Sequence, residues 1–347
     1  MKKIIRVAWL GHSNFGDDLM SYVIDRWLND RFGTVENLVM CEGNVKNVDM
    51  HRSIYPNLWL PKRIKKLFAL KQTSSSDLVV IGGGSILHSE QSIRWKQEVV
   101  NKAKREGIPV IGINLSIGPL KTESSEMMCR DFLNSLDAFS LRDTASCQWA
   151  ERQSLQPNYI VSTDLAGAYI EKVKPLLWQK KSNVVGVSFV RTTCIQQLER
   201  NKSILVDLTN RFSRVKLFSF CTSSTLGDHN MNYGLVNVAE NIEVIDYQET
   251  IAFTQELSEC GFFVGERLHS IILSYLLGIP FITLSYHKKC SDFLELIGYK
   301  DSLFKLNDDE QLTLGGAIDR LQRCEPVMPI EVYIAKSNNN RKVFDCV

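Results

Sequence analysis

The chain has 347 residues, 41 Lys plus Arg, 39 Asp plus Glu, and a formal net charge of +2. This length predicts two domains whose cores are large enough to need no disulfides. The balanced charge excludes a dedicated nucleic-acid binder, which is usually clearly basic. The nine Cys form no C-x-x-C pair, no Cys/His cluster suggests a zinc site, and no apolar stretch is long enough to span a bilayer. We therefore expect a soluble cytoplasmic protein without a metal centre.

Short apolar runs alternate with amphipathic segments, a pattern that predicts βα units and parallel sheets. In the first half, strands are predicted at 4–10, 35–41, 77–81, 108–113, 137–141 and 159–162, and helices at 17–31, 92–106, 123–136 and 143–152. In the second half, strands are predicted near 184–190, 214–220, 242–246, 261–264 and 280–285, and helices near 193–211, 248–258, 268–277, 289–298 and 308–323.

The alternation pauses at 171–183, a charged stretch that contains Pro175 and marks the predicted domain boundary. The fold class is therefore α/β, with two Rossmann-like doubly wound domains facing a cleft. The first domain is expected over 1–172 and the second over 183–327. A partly helical tail that frays through 337–340 is expected over 328–347.

Small polar residues and glycines follow the predicted strands, where ligands bind in doubly wound sheets. The first strand leads into Asn14, Gly16 and Asp17, and a later strand leads into 82–85 (Gly-Gly-Gly-Ser). Glycines let a ligand approach the backbone, and N–H groups at a helix start can hold an anion. Each segment taken singly is also explained by close packing or helix capping, and the sequence contains neither a P-loop nor the dinucleotide fingerprint.

A cluster of cations with an imidazole is predicted at one edge of the second sheet. Arg267 and His269 follow one strand and Lys289 follows the next, and a parallel βαβ unit places the carboxyl ends of both its strands on one edge. Arg binds carboxylate or phosphate through paired N–H groups, Lys supplies a point charge, and His moves a proton near neutral pH. The cluster predicts a site for a compact, highly charged anion. The alternative for His269 is a buried imidazole at a helix start.

The order of these segments resembles the polysaccharide pyruvyl transferase family from about residue 7 to residue 300. The residues that carry the resemblance are Asn14-x-Gly16-Asp17, Gly82-Gly83-Gly84, Gly118-Pro119, Ser140-x-Arg142-Asp143, Asp164, Arg191, Arg267-x-His269 and Lys289. The segment from Gly265 to Gly298 is the most specific. One position departs: the family has Tyr-Asp-x-Lys, whereas this chain has His287 in place of the aspartate.

The resemblance implies a GT-B-like fold and a cytoplasmic enzyme that transfers pyruvyl from phosphoenolpyruvate to a sugar of a cell-surface polysaccharide or its lipid-linked precursor. The products are a ketal and phosphate, and no cofactor or metal is implied. The implied catalytic residues are His269, Arg267 and Lys289. The implied donor-binding residues are Arg191, Arg267, Lys289 and Arg142, and the implied acceptor-binding residues are Asn14, Asp17, Gly83, Gly84 and Ser85.

Two other functions stay open on the sequence. A GT-B glycosyltransferase would use a nucleotide sugar on the same architecture, because fold does not fix function. A non-catalytic sugar-binding protein would need no imidazole among cations. The basic segment 61–71, with interleaved Ile64, Leu67, Phe68 and Leu70, is typical either of a helix packed on its own domain or of peripheral contact with an anionic membrane.

Overall fold

The chain forms two compact units. The computed structural model describes residues 1–40, 51–53, 62–155, 159–225, 227–284, 287–304, 316, 318 and 325–347. Unit 1 comprises Met1–His12, Asp17–Tyr169 and Tyr333–Val347, and unit 2 comprises Ser13–Gly16 and Ile170–Val332. Two short segments therefore belong to the unit that is distant in sequence. The predicted helix at 308–323 falls almost entirely outside the described residues.

Unit 1 is built on a seven-stranded parallel sheet with the order β3-β2-β1-β4-β5-β6-β7. Its strands are β1 (Lys2–Val7), β2 (Val35–Met40), β3 (His51–Ser53), β4 (Leu78–Leu87), β5 (Val110–Ile117), β6 (Ala138–Leu141) and β7 (Tyr159–Val161). Its helices are α1 (Phe15–Phe32), α2 (Lys62–Thr73), α3 (Glu90–Arg105), α4 (Glu123–Asn134) and α5 (Thr144–Arg152), and α6 (Ala166–Val173) leads from unit 1 into unit 2. The strand order reverses between β1 and β4, so the carboxyl ends of these two strands form the switch point of the sheet.

Unit 2 is built on a six-stranded parallel sheet with the order β10-β9-β8-β11-β12-β13. Its strands are β8 (Lys181–Ser188), β9 (Arg214–Ser219), β10 (Ile242–Asp246), β11 (Cys260–Gly265), β12 (Phe281–Leu284) and β13 (Leu303–Phe304). Its helices are α7 (Ile195–Thr209), α8 (His229–Leu235), α9 (Thr250–Ser258), α10 (Leu268–Leu276) and α11 (Lys288–Ile297). Its switch point lies between β8 and β11. Both sheets confirm the predicted Rossmann-like doubly wound fold.

The buried cores follow from the apolar runs of the central strands. Strands β4, β5 and β11 are almost wholly buried, as are the last four residues of β1 and the last five of β8, which is the pattern of parallel strands covered by helices on both faces. Helix starts follow the local sequence as well. The carboxylate of Asp143 accepts a hydrogen bond from the N–H of Ser146 at 2.8 Å and caps α5. Asp143 is thus the N-cap of α5.

The glycine triplet of unit 1 differs from its prediction. Gly82, Gly83 and Gly84 have φ of 131°, 84° and 104° but lie inside β4, which continues to Leu87 beside β5. A Cβ on Gly82 would lie 2.1 Å from the carbonyl oxygen of Ile113. The predicted end of this strand at residue 81 is therefore wrong, and the triplet does not stand at a helix start. The glycines let a contorted strand stay in the sheet, and α3 begins only at Glu90.

The C-terminal segment also differs from its prediction. The expected fraying at 337–340 is wrong, because α12 (Ile330–Asn338) continues directly into a 3₁₀ helix at Asn339–Cys346. Asn340 is fully buried. Its side-chain oxygen accepts hydrogen bonds from Ser140 at 2.5 Å and Ser162 at 2.9 Å, and its nitrogen donates to the carbonyl of Thr163 at 3.0 Å. The segment is thus fixed at the carboxyl ends of β6 and β7.

Candidate functional site

The switch point of unit 2 collects the predicted donor residues. Arg191 follows β8, Arg267 follows β11 at the N-cap position of α10, and His269 lies in the first turn of α10. Lys289 lies in the first turn of α11, after β12, the neighbour of β11. These four residues therefore come from three adjacent strands of one sheet edge, in agreement with the sequence pattern.

Arg267 is held by a buried carboxylate. Its Nε and Nη2 atoms donate to the two carboxylate oxygens of Asp228 at 3.1 and 2.5 Å. Asp228 is fully buried, whereas the Arg267 side chain keeps 21% of its surface exposed. This paired geometry fixes the plane of the guanidinium. Asp228 is not predicted by the sequence pattern; the available signal is an acidic residue that follows β9 and immediately precedes a helix.

A second buried carboxylate supports the turn that carries Arg191. Glu266, the residue before Arg267, accepts a hydrogen bond from the N–H of Val190 at 2.7 Å and forms an ion pair with Arg200. Burial raises the pKa of Glu266, although the hydrogen bond from Val190 and the charge of Arg200 oppose that shift. Both of its oxygens have partners, so Glu266 shapes the turn around Arg191. It also is not predicted by the sequence pattern.

His269 lies against a glycine from the distant N-terminal part of unit 2. The segment Ser13–Gly16 runs beside the end of β9: the N–H of Phe15 donates to the carbonyl of Phe220 at 2.9 Å, and Asn14 forms an antiparallel bridge with Cys221. A Cβ on Gly16 would lie only 2.0 Å from Nδ1 of His269. The imidazole therefore occupies the space that a side chain at position 16 would fill.

His287 performs the capping role at the start of α11. Its Nδ1 accepts a hydrogen bond from the N–H of Lys289 at 3.2 Å, with extended backbone angles typical of an N-cap. A neutral imidazole can replace a carboxylate as this acceptor, which accounts for His287 at the position where the family resemblance expects aspartate. Burial, and then the charge of Lys289, lower the pKa of His287 and favour this neutral form. Lys289 is half-buried, whereas Lys288 is exposed.

Arg142 and its neighbours form a separate polar cluster in unit 1. The guanidinium of Arg142 is buried and donates to Asp164 at 2.8 Å and to the hydroxyl of Ser85 at 3.0 Å. Asp17, at the start of α1, lies beside Gly84, because a Cβ there would be 3.5 Å from its carboxylate. Three predicted residues, Ser85, Gly84 and Asp17, therefore belong to the switch point of unit 1. A donor-binding role for Arg142 stays a prediction, since Asp164 already balances its charge.

The predicted acceptor residues divide between the units. Asp17, Gly83, Gly84 and Ser85 belong to unit 1, whereas Asn14 belongs to unit 2. The side-chain oxygen of Asn14 accepts a hydrogen bond from the N–H of Gly16 at 3.1 Å. Asn14 therefore shapes the segment that carries Gly16 and lies near His269. An acceptor-binding role for these residues stays a prediction.

The chemistry of the unit 2 cluster is that of an anion site with a proton carrier. Arg191, Arg267 and Lys289 are the cations of the cluster and His269 supplies an imidazole, while the Asp228 carboxylate balances the charge of Arg267 and fixes its guanidinium. Among the described residues, no group of three His, Cys, Asp or Glu side chains has the arrangement of a metal site. The cluster can hold a small ligand with several negative charges and exchange a proton with it.

Comparison with known proteins matches the sequence to one family and the structure to one fold. A sequence model of the family "Polysaccharide pyruvyl transferase" matches residues 14–288. A search of curated proteins found no match. A UDP-GlcNAc 2-epimerase from Methanocaldococcus jannaschii aligns over 99% of this chain and 99% of its own, with TM-score 0.66 and 11% identity. The corresponding enzyme from Rickettsia bellii aligns over 100% and 96%, with TM-score 0.65 and 8% identity.

A likeness at a lower TM-score extends to a transferase. A ugt transferase from Siraitia grosvenorii, solved in complex with UDP, aligns over 99% of this chain and 97% of its own, with TM-score 0.55 and 13% identity. At such identities the likeness concerns the fold alone. The predicted GT-B-like architecture is confirmed.

Proposed function

Because the chain belongs to the polysaccharide pyruvyl transferase family, we propose that it transfers the pyruvyl group of phosphoenolpyruvate to a sugar, forming a ketal and releasing phosphate. The observation that carries the proposal is the convergence of Arg191, Arg267, His269 and Lys289 on one sheet edge of unit 2. The acceptor is proposed to be a sugar of a cell-surface polysaccharide or of its lipid-linked precursor.

The charges of the cluster suit this donor. Phosphoenolpyruvate carries a carboxylate and a phosphate of roughly −1.5 to −2. Arg267, oriented by Asp228, is suited to grip a carboxylate or phosphate through paired N–H groups, whereas Lys289 supplies a point charge. Cations that are already in place stabilise the negative charge that collects on the departing phosphate.

His269 is the proposed proton carrier. In its protonated form it gives a proton to the methylene carbon of the donor, which becomes a methyl group and leaves an oxocarbenium-like carbon. A sugar hydroxyl attacks this carbon and returns its proton to His269. The bond to phosphate then breaks, a second hydroxyl closes the ketal, and the proton of that hydroxyl leaves with the phosphate. The protons and charges of the substrates and products balance over these reaction steps, and no further reactant is needed.

Phosphate release with a panel of glycan acceptors tests the proposal. The wild type should release phosphate from phosphoenolpyruvate only when a suitable acceptor is present, and His269→Ala and Arg267→Ala should lose about 100-fold or more. Lys289→Ala should raise KM for the donor, whereas the matched variant Lys288→Ala, which removes the neighbouring exposed cation, should not. Full activity in His269→Ala would show that the site assignment is wrong.

The same experiment separates the pyruvyltransferase from a nucleotide-sugar glycosyltransferase. Both would use this fold, and all three structural neighbours named above are named for a UDP sugar or were solved with UDP. Tight binding of UDP to the protein, with no phosphate release from phosphoenolpyruvate on any acceptor, would favour the glycosyltransferase. Binding of a glycan without turnover of either donor would favour a sugar-binding protein.

We also propose that α2 contacts an anionic membrane where a lipid-linked acceptor is presented. This helix carries five Lys or Arg and no acidic residue, and Leu67 and Phe68 are 67% and 41% exposed. Leu70, by contrast, packs on the core of unit 1. Basic helices with exposed apolar side chains bind anionic bilayer surfaces peripherally. Within the described residues no helix is long and apolar enough to cross a bilayer.

Vesicle pelleting tests the membrane contact. The protein should pellet with vesicles that contain anionic lipid but not with zwitterionic vesicles, and the bound fraction should fall as salt is raised. Lys65→Glu with Lys66→Glu, or Leu67→Ala with Phe68→Ala, should abolish pelleting. Leu176→Ala, which removes an equally exposed apolar side chain from unit 2, is the matched control. Equal pelleting of the charge-reversed variant would refute the contact.

A further inference from the structure

We propose that Asp228 is the positioning residue of the donor site, acting through Arg267 and through the turn that carries Arg191. The inference rests on the proposed function and names a residue that neither the sequence pattern nor the family match singles out. Asp228 touches no part of the proposed reaction directly, since its side chain is fully buried. Its effect on the donor must therefore pass through its hydrogen-bond partners.

Those partners come from the carboxyl ends of three strands. The carboxylate of Asp228 accepts hydrogen bonds from the side chain of Arg267, after β11, and from the N–H of Arg191, after β8, at 3.1 Å. It also accepts one from the N–H of Cys221, after β9, at 3.3 Å. One buried group thus joins the three central strand ends of the sheet at its switch point.

The carboxylate is not used for helix capping. Asp228 stands at the N-cap of α8, yet among the described residues no N–H of that helix donates to its side chain. An acidic side chain at this position would usually cap the helix. Here it is directed instead to Arg267 and to the strand ends. Burial of a carboxylate is costly unless a cation and hydrogen-bond donors compensate it, and Arg267 is the cation that does so.

The contacts of Asp228 also reach the surroundings of His269. Cys221, whose N–H donates to Asp228, pairs with Asn14, and Asn14 leads directly to Gly16, which lies against the imidazole. The donor arginines and the support of His269 therefore share one anchor. Loss of the Asp228 carboxylate should mainly weaken donor binding, because its contact with Arg267 is direct. Its effect on proton transfer by His269 should be smaller, because the two residues are linked only through the backbone of Cys221 and Asn14.

Asp228→Asn keeps the size of the side chain but removes its charge and one acceptor. We expect the Kd and KM for phosphoenolpyruvate to rise about 30-fold or more, the low end for loss of one partner of a buried charge pair, with an acceptor KM within about twofold. In the Arg267→Ala background, Asp228→Asn should raise the Kd and KM for phosphoenolpyruvate by less than about a further threefold, because the arginine through which Asp228 mainly acts is absent. Asn232→Ala is the matched control, since Asn232 is equally buried in α8 and bonds Ser219 instead.

The outcomes separate this inference from the proposed function. Equal loss of donor and acceptor affinity in Asp228→Asn, matched by Asn232→Ala, would show a merely structural role and overturn the inference. Additive losses of Asp228→Asn and Arg267→Ala would overturn it as well. If the wild type neither binds phosphoenolpyruvate nor releases phosphate from it, the proposed function fails. Should Asp228→Asn not fold, the donor Kd of Asp228→Ser, which keeps a small acceptor, replaces it and must show the same rise.

Discussion

Replacement of Gly16 by alanine is expected to disable catalysis while leaving the fold intact. The added Cβ would lie 2.0 Å from Nδ1, 2.3 Å from Cε1 and 2.7 Å from Cγ of His269. Ordinary van der Waals contact begins at about 3.4 Å, so the imidazole must move by about 1.4 Å. A misplacement of about 1 Å at a reacting group costs on the order of 100-fold in rate. We therefore expect kcat to fall about 100-fold.

The backbone at position 16 does not oppose the substitution. Gly16 lies in the first turn of α1 and is not among the glycines with positive φ, so alanine fits its conformation. Alanine also has the higher helix propensity, which is worth up to about 1 kcal/mol in a helix interior and less near its start. The clash with His269 is thus the dominant effect of the substitution. It displaces the imidazole side chain and not the backbone.

Steady-state phosphate release and thermal unfolding together test this reasoning. Gly16→Ala should lose kcat with a change in Tm of only a few degrees, and KM for phosphoenolpyruvate should change little because Arg267 is untouched. Gly234→Ala is the matched control: it is also a helical glycine, but a Cβ there meets nothing within 4 Å. If Gly16→Ala keeps more than half of the wild-type kcat, the imidazole at its observed position is not the proton carrier.

Three further predictions follow from buried polar groups. His287 caps α11 only while Nδ1 is unprotonated, and its pKa is lowered from 6.5 by burial. KM for the donor should therefore rise as pH falls below 6.5 more steeply in the wild type than in His287→Asp, and parallel profiles would contradict this. Burial lowers the pKa of Lys96 from 10.5 to about 8. The free energy of unfolding of the wild type should therefore increase as pH rises from 8 to 10.5. In this range Lys96 has lost its proton in the folded protein but still binds it in the unfolded chain. Lys96→Met should raise the free energy of unfolding at pH 7 by about 1–3 kcal/mol and show no such rise in urea titrations at the two pH values. Asn340→Ala should lower the free energy of unfolding by about 2–4 kcal/mol because several buried groups lose their partner. Asn339→Ala, at the partly exposed neighbouring position, should cost less than 1 kcal/mol; equal losses in urea titrations would refute the assignment.

The sequence predicts the two sheets because apolar runs in β1, β4, β8 and β11 repeat at the spacing of βα units. The sequence also predicts where the cations of unit 2 lie. They directly follow parallel strands, and the carboxyl ends of such strands lie on one edge of the sheet. Local pattern alone cannot predict which carboxylate balances a cation, since that depends on strands distant in sequence. Asp228 is 39 residues from Arg267.

Other features depend on tertiary contacts that leave no periodic signal. The glycine triplet has the composition of a turn, yet pairing with β5 keeps it in the sheet. Asn14 and Gly16 follow the first strand of unit 1 but belong to unit 2. The residues after β9 hold this segment: the N–H of Phe15 donates to the carbonyl of Phe220, and the N–H of Thr222 donates to the carbonyl of Ser13. The polar tail around Asn340 resembles a frayed end, yet the carboxyl ends of β6 and β7 supply its hydrogen-bond partners.

The C-terminal segment has a consequence for biosynthesis. Residues 333–347 complete unit 1, yet the ribosome makes them only after all of unit 2 has been translated. Asn340 is translated 200 residues after Ser140 and 178 residues after Ser162. At usual elongation rates this separation is a delay on the order of 10–40 s. Unit 2 can fold during that interval, whereas unit 1 closes last. During that interval the hydroxyls of Ser140 and Ser162, at the ends of β6 and β7, should be open to chaperones and proteases.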